Sequence, residues 1–185
     1  MSAIDEIRKG LKKHETGYIA LIITSAETYI ILYFKILKLL LNELKYSGIV
    51  VSINKPGPIL LDQMKEKGID PKELSIIDCI SEITGVEKKK DGIVYVSSPS
   101  NLTELSIEIK KVLDRAKKKR SFVMIDSLAS LLIHNSSGSV LRFLNFLTTR
   151  MKSMKVGGVF IVVEEEFDKR FINQIIEFCD QVIRV

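Results

Sequence analysis

Short apolar runs of strand length alternate with longer stretches of helical period along the whole chain. The runs fall near Ile19 to Thr24, Gly48 to Ile53, Leu74 to Ile80, Phe122 to Asp126, Val159 to Val163 and Gln181 to Val185. They are near-continuous in Val, Ile and Leu instead of alternating with polar residues, as strands are when helices cover both faces of a sheet. Runs of this kind separated by helical segments predict βαβ units, and so an α/β fold with a mostly parallel central sheet.

The intervening segments carry their own boundaries. Tyr29 to Lys45 repeats Ile30, Phe34, Leu37, Leu41 and Leu44 at three-to-four-residue spacing, and Gly48 follows it. Ile59 to Lys67 follows Pro56-Gly57-Pro58 and stops at Gly68. Leu102 to Lys119 opens on Asn101 with Glu104 three residues on, a capping box, and aligns Leu102, Leu105, Ile109, Val112 and Ala116; its other face and tail, Lys110, Lys111, Arg115 and Lys117 to Arg120, are basic. Ser139 to Met154 repeats Val140, Leu144, Leu147, Met151 and Met154, with Phe143 and Phe146 widening the stripe, and stops at Gly157-Gly158. Asp168 to Phe178 precedes the last strand. At the start, Ser2 to Lys13 places Ile4, Ile7 and Leu11 on one side, so residues 1–16 read as an amphipathic N-terminal helix. No internal repeat or low-complexity linker divides residues 1–185, which predicts one domain, and Ile83 to Asp91, with Lys88-Lys89-Lys90, reads as a mobile surface loop.

Composition narrows the setting. With 46% hydrophobic residues in 185, the chain can bury one sizeable core. A net charge of +5 spread along the chain permits an acidic partner and requires none. Cys79 and Cys179 stand far apart with no companion ligands at metal spacing, so neither a disulfide framework nor a metal site is predicted. The N-terminus lacks the order of a signal peptide, and Glu27, Lys35 and Lys38 interrupt the most apolar region, so a cytoplasmic protein is expected. Abundant Lys, Glu and Ile without Trp is compatible with a thermophile.

The candidate chemistry centres on Phe122-Val123-Met124-Ile125-Asp126-Ser127, an apolar strand ending in Asp, which resembles the strand whose Asp holds Mg²⁺ in P-loop ATPases. Those enzymes also need G-x-x-x-x-G-K-[ST], whose glycines let backbone N–H groups reach the phosphates while the Lys and hydroxyl reach the β/γ-phosphates and Mg²⁺. The corresponding stretch here, Thr24-Ser25-Ala26-Glu27-Thr28, has neither glycine nor lysine. Two roles for Asp126 stand: residual metal and nucleotide binding, or, the preferred one, a structural bond to Thr24, Ser25 or Thr28 across the top of the sheet. Thr24 to Glu27 also fits a capping box. Its carboxylate would occupy the helix N-terminus and repel a phosphate at ~4 Å by roughly 4 kcal/mol. Glu164-Glu165-Glu166 reads as a solvated loop, His14 and His134 as isolated, and Arg115 to Arg120 as a solvated helix end that offers a weak case for nucleic acid.

The segment from Asp126-Ser127-Leu128-Ala129-Ser130 to His134-Asn135, followed by Val140-Leu141-Arg142-Phe143-Leu144, resembles the Walker B strand and following helix of archaeal KaiC-like proteins, a branch of the RecA-like ATPases. Ile77-Asp78-Cys79-Ile80-Ser81, Ser98-Pro99-Ser100-Asn101-Leu102 and Phe178-Cys179-Asp180-Gln181 are similar to further family segments. The resemblance implies a RecA-like fold in which a glutamate pair after the second strand activates water; here that position holds Asn54 and Lys55, neither a carboxylate base. With the phosphate loop and the base both missing, the expectation is a pseudo-ATPase without catalytic residues or an ATP/Mg²⁺ cofactor, acting through protein contacts as a regulatory or assembly module. The alternatives are nucleotide binding in a non-standard pose, with or without residual hydrolysis, and a nucleic-acid-binding module. Surplus apolar surface on the N-terminal helix further predicts self-association through it.

Overall fold

The computed structural model describes residues 3–13, 17–86, 90–115 and 120–185. His14, Lys88-Lys89, Ala116 and the lysines at 117–119 therefore lie outside the described residues, as does Ser2, where the first helix was expected to begin. Seven strands, β1 (Ile19–Thr24), β2 (Ser47–Ser52), β3 (Leu74–Asp78), β4 (Ile93–Tyr95), β5 (Ser121–Asp126), β6 (Gly157–Val163) and β7 (Gln181–Arg184), form one sheet in the order β4-β3-β2-β5-β6-β1-β7. Every pairing is parallel. The six apolar runs coincide with six of these strands. β4 escapes the pattern because it is three partly buried residues on the edge of the sheet.

Both faces of the sheet are buried, so successive residues feed two separate cores. Ile19, Leu21 and Ile23 of β1 join one cluster with Val123 and Ile125 of β5 and Phe160 and Val162 of β6. Ala20 and Ile22 join the other with Phe122, Met124, Val159 and Ile161. Five helices, α1 (Ala3–Lys13), α2 (Ala26–Lys38), α3 (Gly57–Glu66), α4 (Ser81–Thr84) and α5 (Leu102–Arg115), precede β5. α6 (Leu128–His134), α7 (Ser137–Ser153) and α8 (Lys169–Ile176) follow it. α2 and α3 pack into the second cluster through Tyr33, Ile36, Leu37, Leu60 and Met64, whereas α5, α7 and α8 cover the first through Leu105, Ile109, Leu144, Met151 and Ile175.

Three local features depart from the periodicity. α2 starts at Ala26, and its buried residues are Leu32, Tyr33, Phe34, Ile36 and Leu37, so Ile30, expected in the core stripe, is 43% exposed. The helix then loosens into a π turn, Leu39–Glu43, that buries three consecutive leucines. One helix expected over Ser139 to Met154 starts at Ser137 and is preceded by the separate α6, capped where the Ser127 hydroxyl accepts from Ser130 N at 3.2 Å. Phe143 packs at the edge of the buried side set by Val140, Leu144 and Leu147, whereas Phe146 falls farther round the helix and is exposed.

α1 docks on its own sheet. Ile7 is fully buried in the second cluster, Ile4 packs against it, and Arg8 pairs with Glu43 at 2.6 Å. Gly10 permits this close approach, since a Cβ there would run into the Tyr18 ring. The apolar side of α1 is thus used within the chain at Ile7 and partly at Ile4, while the Leu11 side chain lies outside the described residues. Among the described residues, no helix is long and apolar enough to cross a membrane.

Gly48 marks the tightest spot in the sheet: a Cβ added there would fall inside the Phe122 ring of the neighbouring strand. We expect Gly48→Ala to lower the unfolding free energy by about 1–3 kcal/mol in urea titration, the usual cost of overpacking a dense core. Gly138→Ala, on a helix where the added methyl meets only Arg142 Nη1 at 3.5 Å, is expected to leave stability unchanged or raise it.

Candidate functional site

In an open parallel sheet, ligands bind in the crevice beyond the carboxyl ends of the strands, where connections leave to opposite faces. Here the chain leaves β1 and β2 towards the face of α2 and α3, and leaves β5 and β6 towards the face of α7 and α8. The crevice therefore lies above Thr24, Ser52, Asp126 and Val163, which the register sets side by side as Thr24 opposite Val163 and Ser52 opposite Asp126.

Asp126 is 2% exposed. Its Oδ1 accepts a hydrogen bond from the hydroxyl of Tyr29, on the first turns of α2. Tyr33, one turn further on and fully buried, stacks on Tyr29 with ring centroids 6.3 Å apart. The Tyr33 hydroxyl is near enough to influence the carboxyl, yet makes no well-formed hydrogen bond. Burial pushes the Asp126 carboxyl above its ordinary range, and the Tyr29 hydroxyl, the Lys55 charge and the Tyr33 hydroxyl pull back against it. Burial and the neighbouring Asp126 raise both tyrosines, so they remain neutral donors.

The expected partners of Asp126 among Thr24, Ser25 and Thr28 are thus replaced by Tyr29. Thr24 still belongs to β1, and its buried hydroxyl has no partner among the described residues. Because the strand runs through Thr24, the N-cap falls on Ser25, which is extended (φ −86°, ψ 161°) and makes no side-chain cap bond. Its carbonyl accepts from the N–H groups of Thr28 and Tyr29, and its hydroxyl donates to Thr28 Oγ1 at 3.2 Å. Three residues beyond this cap stands Thr28, not an acid. The Thr24–Glu27 capping box does not form, and Glu27 stands exposed in the first turn of α2.

Asn54 is exposed, while Lys55 is half-buried and turned inward. Lys55 Nζ donates to Gln63 Oε1 at 3.0 Å and lies 5.8 Å from the centroid of the Phe34 ring. Its carbonyl accepts from the Ser52 hydroxyl at 2.5 Å, which fixes the turn leaving β2. The crevice therefore combines a buried carboxylate, a tyrosine hydroxyl on that carboxylate and a cation nearby. Ser127, joined to Asp126 by a cis peptide bond, spends its hydroxyl on the α6 cap and on Ser130 Oγ at 3.0 Å.

Of the remaining candidates, the acidic turn after β6 borders this crevice, and the Glu166 charge adds to burial and Asp126 in raising the Tyr29 hydroxyl. Glu164-Glu165-Glu166 form an exposed turn after β6, with Glu164 paired to Arg184 at 3.3 Å. His134 ends α6 in solvent. Arg120 Nη1 donates to Tyr46 at 3.5 Å. Among the described residues, no group of three or more His, Cys, Asp or Glu side chains is placed to hold a metal.

Sequence reasoning missed Tyr29, Tyr33 and Asp78. Asp78 ends β3 fully buried and accepts from Gly57 N at 2.6 Å, Ser81 Oγ at 2.6 Å, Ser81 N at 2.9 Å and Ile80 N at 3.0 Å. An Asp closing an apolar run with Ser three residues on is the signal for this turn, and it also explains why the strand expected to reach Ile80 stops at Asp78. The tyrosines left no such trace, since aromatic residues within an apolar helix read as core.

A model described as "Family of unknown function (DUF7504)" matches residues 38–185. No protein of curated function matches the sequence. Among solved structures, uncharacterized protein PH0321 from Pyrococcus horikoshii, in complex with an unknown peptide, superposes with a TM-score of 0.69 at 14% identity, covering 97% of this chain and 82% of that one. The flagellar accessory protein FlaH of Methanocaldococcus jannaschii gives 0.58 at 16% identity, over 100% and 78%. The KaiC-like protein PH0186 of Pyrococcus horikoshii OT3 gives 0.55 at 18% identity, over 80% and 61%. At these identities the likeness establishes the RecA-like, KaiC-type fold expected from the Asp126 segment, and speaks to the fold alone.

Between the ordinary carboxylate range and the raised value of Asp126, the folded chain keeps a proton that the unfolded chain has released, so stability falls as pH rises through that window. Asp126→Asn, which retains an acceptor for Tyr29, is expected to remove this part of the slope in thermal unfolding followed against pH. Asp126→Ala strands the Tyr29 hydroxyl and is expected to cost about 1–3 kcal/mol at neutral pH.

Proposed function

We propose that this chain, which belongs to DUF7504, a family of unknown function, is a single-domain pseudo-ATPase of KaiC-like architecture that acts through protein contacts. The observation that carries this reading is the bond from Tyr29 to Asp126 with Lys55 close by. Asp126 stands where an ATPase needs a free carboxylate for Mg²⁺, and both neighbours compete for that charge: a hydroxyl donor seated on it and a cation in place of a base. A metal ion bound through Oδ1 would have to displace the Tyr29 hydroxyl. The missing glycines and lysine of the phosphate loop remove the other half of the grip. That PH0321 was crystallised with a peptide supports a peptide- or protein-binding role for this architecture.

A second reading, nucleotide bound in a non-standard pose, draws on the unpartnered Thr24 hydroxyl and on the N-terminus of α2, which no side chain caps. Calorimetric titration with ATP and Mg²⁺ separates the two. We expect no saturable Mg²⁺-dependent binding at sub-millimolar ATP and no hydrolysis, and Tyr29→Phe, which frees the carboxylate, is expected to create neither. Saturable binding lost in Asp126→Ala would establish the second reading instead.

A further inference from the structure

α2 is apolar on more sides than the sheet can cover. Its inner side supplies Tyr33, Ile36 and Leu37, while Ile30 and Ile31 remain 43% and 57% exposed. Together with Phe34, and with Ile69 just beyond α3, they line a cleft of about 240 Å³. The charged residues around this cleft are Lys35, Lys38 and Lys67, with no carboxylate among the lining side chains. All three lysines are exposed, and none enters an ion pair among the described residues. Lys67 Nζ lies 4.9 Å from the centroid of the Phe34 ring, so its cation sits over the apolar floor.

We propose that this cleft is a docking site for an acidic amphipathic helix of a partner protein, which places its apolar side on Ile30, Ile31 and Phe34 and its carboxylates on Lys35, Lys38 and Lys67. This rests on the reading of the chain as an interaction module and names the chemistry of its partner. An apolar floor with a rim of a single sign selects a ligand of the opposite sign, because a neutral or basic apolar segment would leave three cations beside buried surface without counter-charge. Phe34, Lys35 and Lys38 lie on a helix, whose backbone groups are already bonded internally, so recognition proceeds through side chains at i, i+3 and i+4 and not by strand addition. The cleft is separate from the crevice above Asp126, although Phe34 touches both through Lys67 on one side and Lys55 on the other.

The test uses the full chain and a synthetic helical peptide with leucines on one side and glutamates on the other, beside a counterpart in which lysine replaces every glutamate. Saturable binding of the acidic peptide, weakened by salt, and no binding of the basic one are expected. Ile31→Ser should weaken binding by about tenfold or more, as loss of a central contact does. The pair Lys35→Glu and Lys38→Glu should transfer preference to the basic peptide. These are solvent-exposed positions, and unchanged thermal unfolding of each variant verifies that its fold is retained. Absence of acidic-peptide binding, or binding indifferent to both variants, overturns the proposal. A concentration-dependent dimer of the unmodified chain, abolished by Ile31→Ser, also overturns it in favour of a second copy as the occupant. Failure here leaves the ATP titration untouched, and ATP binding there would remove the pseudo-ATPase reading without altering the peptide result.

Discussion

A parallel sheet buried on both faces must satisfy its strand ends without help from water, and in this chain two buried aspartates discharge that requirement along the carboxyl edge. Asp78 gathers the turn into α4 and the start of α3 through four donors. Asp126 joins the end of β5 to α2 through Tyr29. The two strands they terminate flank β2, whose own end is fixed by the Ser52 hydroxyl on the Lys55 carbonyl. The three adjacent strands thus end in polar groups bonded to the turns and helices beyond the sheet edge, and a buried polar group left without such a partner costs more than the bond itself contributes.

The two aspartates are satisfied differently, and the difference bears on function. Asp78 accepts mainly from backbone N–H groups that no side-chain exchange can remove. Asp126 depends on side chains, a tyrosine hydroxyl and a nearby lysine charge. In an ATPase the corresponding carboxylate is stabilised by the ion it holds. Here the chain supplies internal groups of the same electrostatic sense, a donor and a cation. Both groups offset part of the cost of burying this strand-end Asp.

Much of this architecture was legible in the sequence because burial on two faces leaves unbroken apolar runs. Six strands and the helical order follow from that alone, whereas the RecA-like, KaiC-like class came from the resemblance carried by the Asp126 segment. Three things were not legible. The edge strand β4 is too short to show a pattern. α6 is hidden because Leu128 to Ile133 reads as part of the apolar stretch around it, while its cap at Ser127 is a bond visible only in three dimensions. At the site, residue spacing placed the cap at Thr24, whereas register with Val163 keeps Thr24 in the strand and moves the helix start by one residue. That single step exposes Glu27 and brings Tyr29 onto Asp126.

The π turn at Leu39–Glu43 separates two demands made on α2. Upstream, the angular position of the helix is dictated by Tyr29 and Tyr33 against a carboxylate; downstream, by leucines against the sheet and by Arg8 of α1 on Glu43. A regular helix would lock these together, since rotating one end rotates the other by the same angle. A wider turn between them works like a slip joint, so drift in how α1 packs need not be transmitted to the aspartate at the far end.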